Sequence, residues 1–139
     1  MYEPIRTPSV HSTLAGAAPD FPHRSREEEL DIQLAGHLAA LLTATDDLRA
    51  VAPSADLDTA AERLTAEVSR LRRGRTPARA SASRDAGADV AALHRRAHAL
   101  AGRALVVAAS RADTAAAILA AERMDAHAEA SGPRALASR

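Results

Sequence analysis

Alanine content most strongly limits what this chain can fold into. Alanine occurs 37 times among 139 residues, whereas Leu, Ile, Val and Phe together supply 25. Alanine has the highest intrinsic helix propensity but buries little apolar area per side chain. The composition therefore predicts helices that form readily and pack closely around a thin core. A thin core leaves a monomer weakly stabilised, and a second copy of the chain that covers an Ala and Leu stripe would offset this.

Several residue types that define common protein classes are missing. The chain has no Cys, which excludes disulfides, thiolate nucleophiles and sulfur-ligated metal sites. Tyr2 and Phe21 are the only aromatic residues, so a base or a flat cofactor would find almost nothing to stack on. No stretch approaches the ~20 apolar residues of a membrane helix, and no signal sequence is recognisable at the N-terminus. We therefore expect no cofactor, no membrane partner and a cytoplasmic location.

A helical region lies between two irregular ends. Residues 1–24 contain four prolines among Ser, Thr, Ala and Gly, which predicts a disordered or extended N-terminal arm. Helical periodicity continues from there to a Gly-Pro pair that stops it. Residues 25–130 are therefore the predicted helical domain, and residues 131–139 are a predicted frayed tail.

Residues 25–74 carry the signature of an α-helical hairpin. Ser25 and Glu28 match a capping box, and apolar residues then repeat in alternating steps of four and three as far as Pro53. A second helix with the same spacing follows, with Ser54 or Asp56 as its cap, and it ends at Gly74. The two helices are expected to pack against each other through these stripes.

The second half of the chain is less clearly divided. Residues 75–86 lack periodicity and contain three Arg, which predicts a mobile Arg-rich linker. The helical pattern returns over residues 88–130, with a weak stretch from Ser110 to Asp113. Either one long, bent helix forms, or the pattern breaks and Asp113 or Thr114 caps a separate helix. Because no Gly or Pro enforces a break, the sequence favours the single helix.

These elements predict an all-α fold: the hairpin packs antiparallel on the long C-terminal helix as a three- or four-helix bundle with coiled-coil-like seams. Charge supports this pairing, because residues 27–67 have a net charge of −8 and residues 68–111 a net charge of +8. Exposed ion pairs between the two segments would favour one orientation, although each contributes only ~0 to 1 kcal/mol. The positions expected in the core or interface seam are Leu34, Leu41, Leu64, Leu71, Leu100 and Ile118.

Three histidines fall on or beside the apolar stripes. His94 and His98 are one helical turn apart, so their rings can share a metal ion, with His37 or an acid as third ligand. No Glu lies between the pair as in a zinc-protease motif, and no Glu-x-x-His pair is present. Such residues more often have a hydrogen-bonded packing role. We therefore predict no metal site and keep His37, His94 and His98 as the candidate ligands.

An Arg-rich segment offers a second kind of site. Six Arg and no acid occur between residues 70 and 84, where they could contact phosphates of a nucleic acid or a small anion. Zero net charge, the missing aromatic residues and the lack of a recognisable nucleic-acid-binding module make nucleic acid an unexpected partner. The candidate residues are Arg70, Arg72, Arg73, Arg75, Arg79 and Arg84.

No catalytic motif is recognisable in the sequence. It has no nucleophile paired with a base, no carboxylate pair placed for acid-base work and no Gly-rich phosphate loop. We therefore expect a non-catalytic protein-interaction module, an adaptor, scaffold or regulator, that forms a homodimer and binds an unidentified protein partner. Anion or nucleic-acid binding through residues 70–84 and metal binding at His94 and His98 are the alternatives.

Overall fold

The computed structural model describes residues 24–79 and 89–132, and these residues form four α-helices. No strand occurs within the described ranges, and the helices pack against each other, which confirms the predicted all-α bundle. Residues 1–23, 80–88 and 133–139 lie outside the described residues, so what was predicted for them within the arm, the linker and the tail stays a prediction. The helices are α1 (Arg26–Val51), α2 (Ala55–Leu71), α3 (Val90–Arg111) and α4 (Thr114–Ala130).

Short polar side chains fix where the helices of the first hairpin begin. The Ser25 hydroxyl accepts a hydrogen bond from the Glu28 N–H at 3.0 Å, and the Glu28 carboxylate accepts one from the Ser25 N–H at 2.9 Å. This is the predicted capping box of α1. Ser54 caps α2 by accepting a backbone N–H three residues on. The hairpin expected over residues 25–74 therefore forms with the expected start signals.

The single long helix that the sequence favours is instead two helices, because the chain reverses at Ala112. This residue adopts the left-handed conformation, with φ 58° and ψ 35°. The Asp113 N–H donates to the Ala108 carbonyl at 2.9 Å, which closes a Schellman turn at the end of α3. The Asp113 carboxylate accepts from the Ala116 N–H at 3.2 Å and so starts α4. The alternative of a break with Asp113 as the cap is thus confirmed.

The four helices form a ring in the order α1, α2, α4, α3, and each lies antiparallel to its two neighbours. Ion pairs between the helices show these antiparallel orientations. Asp31 in α1 meets Arg111 at the end of α3, and Arg70 at the end of α2 meets Asp113 at the start of α4. The start of α3 and the end of α2 therefore lie at opposite ends of the bundle.

The described part of the predicted linker lies against the first hairpin. Pro77 is buried. Arg79 donates two hydrogen bonds to the carboxylate of Asp46, both at 2.8 Å, and one to the Thr65 hydroxyl at 3.2 Å. The Arg79 guanidinium also helps to hold the pKa of Asp46 below its usual value, against the opposite effect of burial. Mobility of residues 75–86 as a whole stays a prediction.

Leucine from the first hairpin packs against alanine from the second. The buried leucines lie mainly on α1, whereas α3 contributes four fully buried alanines and one leucine. Alanine lets α3 approach α1 closely, so the small side chains of one helix fit between the large side chains of the other. The fully buried alanines of α3 are Ala97, Ala101, Ala104 and Ala108.

Five of the six predicted seam positions lie in or against this core. Leu34, Leu41, Leu64 and Leu100 are buried, and Leu71 is half-buried against the same cluster. Ile118 is 51% exposed, so it does not belong to the core. The reason is the break at Ala112: α4 starts in a new helical phase, in which Leu119 faces inward and its neighbour Ile118 faces outward. As an interface position, Ile118 stays a prediction.

Candidate functional site

The second hairpin presents an apolar groove at its turn, which we call the hairpin groove. It has a volume of about 280 Å³, and almost all of its lining is apolar. Val106, which is 66% exposed, lies on α3 three residues before the groove residue Ala109, and the 51% exposed Ile118 forms part of the groove wall on α4. The lining residues are Ala108, Ala109, Ala112, Asp113, Thr114, Ala117, Ile118 and Ala121.

The one carboxylate in this lining is already satisfied. Asp113 accepts a hydrogen bond from Arg70 at 2.8 Å and caps α4, and only 12% of its side chain is exposed. Its bonds to Arg70 and to the Ala116 N–H lower the pKa of Asp113 below its usual value, although burial acts against them. The groove therefore offers a small-residue apolar surface that carries no unpaired charge.

A polar cluster in which Arg123 and His127 are buried lies between α2, α3 and α4. The Nδ1 atoms of His94 and His127 are 2.9 Å apart. Arg123, whose side chain is 5% exposed, reaches Nε2 of His127 at 3.4 Å and donates to the Asp56 carboxylate at 3.1 and 3.2 Å. Its Nε–H is buried without a partner among the described residues. The cluster joins the start of α2 to the second hairpin.

Arg123 fixes the proton positions in this cluster. A guanidinium can only donate hydrogen bonds, so Nε2 of His127 has to accept. Neutral His127 then carries its proton on Nδ1 and donates to Nδ1 of His94, which leaves the His94 proton on Nε2. A further proton on either ring would place two donors face to face.

Both rings are held in the neutral form. Burial, then the charge of Arg123 and the neighbouring His94 and His98, lower the pKa of His127 to about 4, although Asp56 raises it. Burial and Arg123 also lower the pKa of His94 below its usual value. Desolvation makes the largest contribution in both cases.

The candidate metal ligands do not form a metal site in the described residues. His94 pairs with His127 on α4, and within 24–79 and 89–132 no group of three His, Cys, Asp or Glu side chains could hold a metal ion. His98 lies half-buried on α3 and His37 half-buried on α1. Arg123 beside His127 would repel a cation.

The sequence interpretation missed Arg123 and His127. Both follow Ala116 and Ala120 on the buried face of α4 in steps of four, three and four. That signal becomes readable only when the start of α4 is known, because a continuous helix from residue 88 gives α4 a different phase.

The described arginines of the Arg-rich segment form two groups, one that pairs with carboxylates of the bundle and one that lines a cavity. Arg70 is paired with Glu67 and Asp113, and Arg79 with Asp46. Arg84 lies outside the described residues. Arg72, Arg73 and Arg75 line a cavity of about 570 Å³, which we call the arginine cavity. Its full lining is Arg24, Glu28, Asp31, Ile32, Ala35, Leu71, Arg72, Arg73 and Arg75.

None of the four described helices combines the length and the apolar character needed to cross a bilayer. Comparisons of the chain with protein-family models, with curated proteins and with solved structures found no match.

Proposed function

We propose that this protein is a non-catalytic helical interaction module that forms a homodimer through the hairpin groove. The observation that carries the proposal is the pairing of an alanine-lined groove with two exposed branched apolar residues, Val106 and Ile118. Exposed apolar side chains beside an apolar groove are typical of a protein interface. A cytoplasmic location is part of the proposal.

A two-fold axis would make this surface self-complementary. In a symmetric dimer the same patch is used twice, so Ile118 of each copy would enter the groove of the other. Alanine at the groove lets the helices approach closely, and the branched side chains supply the apolar area. The dimer would thereby enlarge a core that is thin in each protomer.

The surface left exposed by such a dimer would serve a protein partner. The chain would then act as an adaptor, scaffold or regulator whose ion-paired outer faces select the partner by charge complementarity. The proposal includes no chemical step.

Light-scattering mass after size exclusion tests the dimer. We expect twice the chain mass for the wild type at both low and high salt, because an apolar interface tolerates salt. Ile118→Glu should shift the protein to a monomer by placing a charge in each groove. Ile32→Glu is the matched control, since Ile32 is 48% exposed but lies on α1, and it should stay dimeric. A monomeric wild type, or equal effects of the two substitutions, would disprove the proposed interface.

A further inference from the structure

The arginine cavity lies where the start of α1 meets the last turn of α2. Its volume of about 570 Å³ falls within the range of roughly 300 to 1,000 Å³ that is usual for small-molecule sites. It shares no lining residue with the hairpin groove. An occupant of this cavity would therefore not depend on the proposed dimer.

The turn after α2 brings the arginines together. Arg73 has φ 57° and Gly74 has φ 90°, so the chain reverses immediately after the helix. The Gly74 N–H donates to the Ser69 carbonyl at 2.7 Å and closes a Schellman turn. A hydrogen-bonded turn thus presents Arg72, Arg73 and Arg75 to the start of α1.

Positive charge exceeds negative charge in the cavity wall. Four Arg face two carboxylates, one of which, Glu28, also lies 3.9 Å from Arg73 of the same lining. Asp31 accepts from Arg111 at 3.1 Å, and Glu28 accepts from the Ser25 N–H at 2.9 Å. The excess is two positive charges, and it stays two when the neighbouring Arg111 and Glu29, which lies 3.9 Å from Arg24, are both counted.

The cavity also has an apolar part. Ile32, Ala35 and Leu71 contribute to its lining, and Ile32 is 48% exposed. Guanidinium forks match the geometry of phosphate oxygens, whereas the aliphatic side chains favour a ligand with an apolar group. Among the described residues no aromatic ring lines the cavity, so these residues offer no platform for base stacking.

We propose that the arginine cavity binds a small organophosphate: a phosphate monoester dianion that carries a short apolar group. A monoester has a charge of about −1.5 to −2 at pH 7, which matches the excess of two positive charges. The phosphate lies among Arg72, Arg73 and Arg75, and the apolar group lies against Ile32 and Leu71.

Calorimetric titration of the full chain with phenyl phosphate tests this site. We expect saturable binding with one ligand per chain, and weaker binding of inorganic phosphate, which lacks the apolar group. The double variant Arg72→Gln/Arg75→Gln should bind phenyl phosphate at least about tenfold more weakly, since it loses charge-assisted hydrogen bonds. Arg96→Gln is the matched control, because Arg96 is exposed on α3 in the half of the bundle away from the cavity.

Ile32→Ser gives an independent readout. It should reduce the preference for phenyl phosphate over inorganic phosphate while leaving the affinity for inorganic phosphate unchanged. Absence of saturable binding, or an equal loss in the double variant and in Arg96→Gln, overturns the proposal. Tighter binding of a single-stranded oligonucleotide that displaces phenyl phosphate also overturns it, in favour of a nucleic-acid site. Circular dichroism of each variant checks that the bundle is intact.

Discussion

At the scale of single residues, the most unusual feature is a buried cationic side chain beside two neutral histidines, of which His127 is buried as well. Arg123 is held by Asp56 and by Nε2 of His127, and the His127 ring is held by His94. Buried polar networks of this kind are stable only while each member has its partner. The accepting nitrogens of His127 and His94 are basic, so protonation of either ring is the simplest way to break the hydrogen bonds of this cluster.

The first prediction concerns pH. The pKa of His127 is about 4 in the folded chain, whereas histidine in an unfolded chain has a pKa of about 6.5. The unfolded state therefore binds more protons between these values, and stability falls as pH drops through this window. The loss should reach about 2 kcal/mol at pH 5 and about 3 kcal/mol at pH 4, relative to pH 7.5. Urea unfolding at these pH values measures it.

The variant His127→Gln separates this effect from general acid unfolding. Glutamine can still accept a hydrogen bond from Arg123 but does not titrate in this range. The variant should be less stable than the wild type at pH 7.5 and should show a shallower pH dependence down to pH 5. Equal slopes in the two proteins would show that the cluster is not the acid-sensitive element.

Replacing glycine with alanine should change stability in opposite directions at Gly74 and at Gly36. Gly74 has φ 90° and nothing within 4 Å of an added Cβ, so Gly74→Ala suffers from backbone strain alone and should destabilise by about 1 kcal/mol. Gly36 is exposed inside α1, where an added Cβ also meets nothing, so Gly36→Ala should stabilise by about 1 kcal/mol. Thermal unfolding of the two variants should give shifts of opposite sign. Shifts of the same sign would contradict the left-handed conformation at Gly74.

At the scale of elements, the decisive feature is the reversal between α3 and α4. It places Leu119 and Ala116 in the core and creates the hairpin groove at the same time. Asp113 has two roles there, because it caps α4 and pairs with Arg70 from the end of α2. One side chain thus starts a helix and ties the two hairpins together.

Asp113→Ala should therefore destabilise the protein by about 1 to 2 kcal/mol through the lost cap, with a further few tenths from the lost ion pair. Asp89→Ala is the comparison, since Asp89 caps α3 with the same 3.2 Å hydrogen bond, but among the described residues its nearest ion-pair contact, to Arg95, is 4.0 Å long. Chemical denaturation should show the larger loss for Asp113→Ala. A larger loss for Asp89→Ala would contradict the double role of Asp113.

At the scale of the whole molecule, the bundle depends on matching large side chains with small ones. The core face of α3 carries Ala97, Ala101, Ala104 and Ala108, and it faces the leucines of α1. Ion pairs between the acidic first hairpin and arginines of the second half then favour this orientation. An example is Arg111 with Asp31 at 3.1 Å. Packing supplies the stability, and the charge pattern favours one pairing of the helices over others.

Ala104→Leu should therefore destabilise the fold by about 1 to 3 kcal/mol, because the enlarged side chain has no space between α3 and α1. Ala99→Leu is the control on the same helix, where the residue is exposed and the change should cost less than about 0.5 kcal/mol. Urea unfolding of both variants measures the difference. An equal loss of stability in the two variants would mean that the close packing of α3 against α1 does not restrict side-chain size in the core.

The sequence by itself determined the helical class, the first hairpin and most of the core positions. These depend on local signals: the capping box at Ser25, the cap at Ser54, and the spacing of leucines on α1 and α2. Each of these signals acts within one helical turn of the residue that carries it, so it can be read without knowledge of the rest of the fold.

Only the tertiary structure decided where the second half divides, and the candidate sites followed from that division. Ala112 has no intrinsic preference for a left-handed turn, and it adopts one because α4 then packs beside both α3 and α2. The phase of α4 exposed Ile118 and buried His127. The arginines were likewise separated by long-range partners, since Asp46 and Asp113 hold Arg79 and Arg70 while Arg72 and Arg75 line a cavity. Such pairings depend on distances in the folded chain, which spacing along the sequence does not encode.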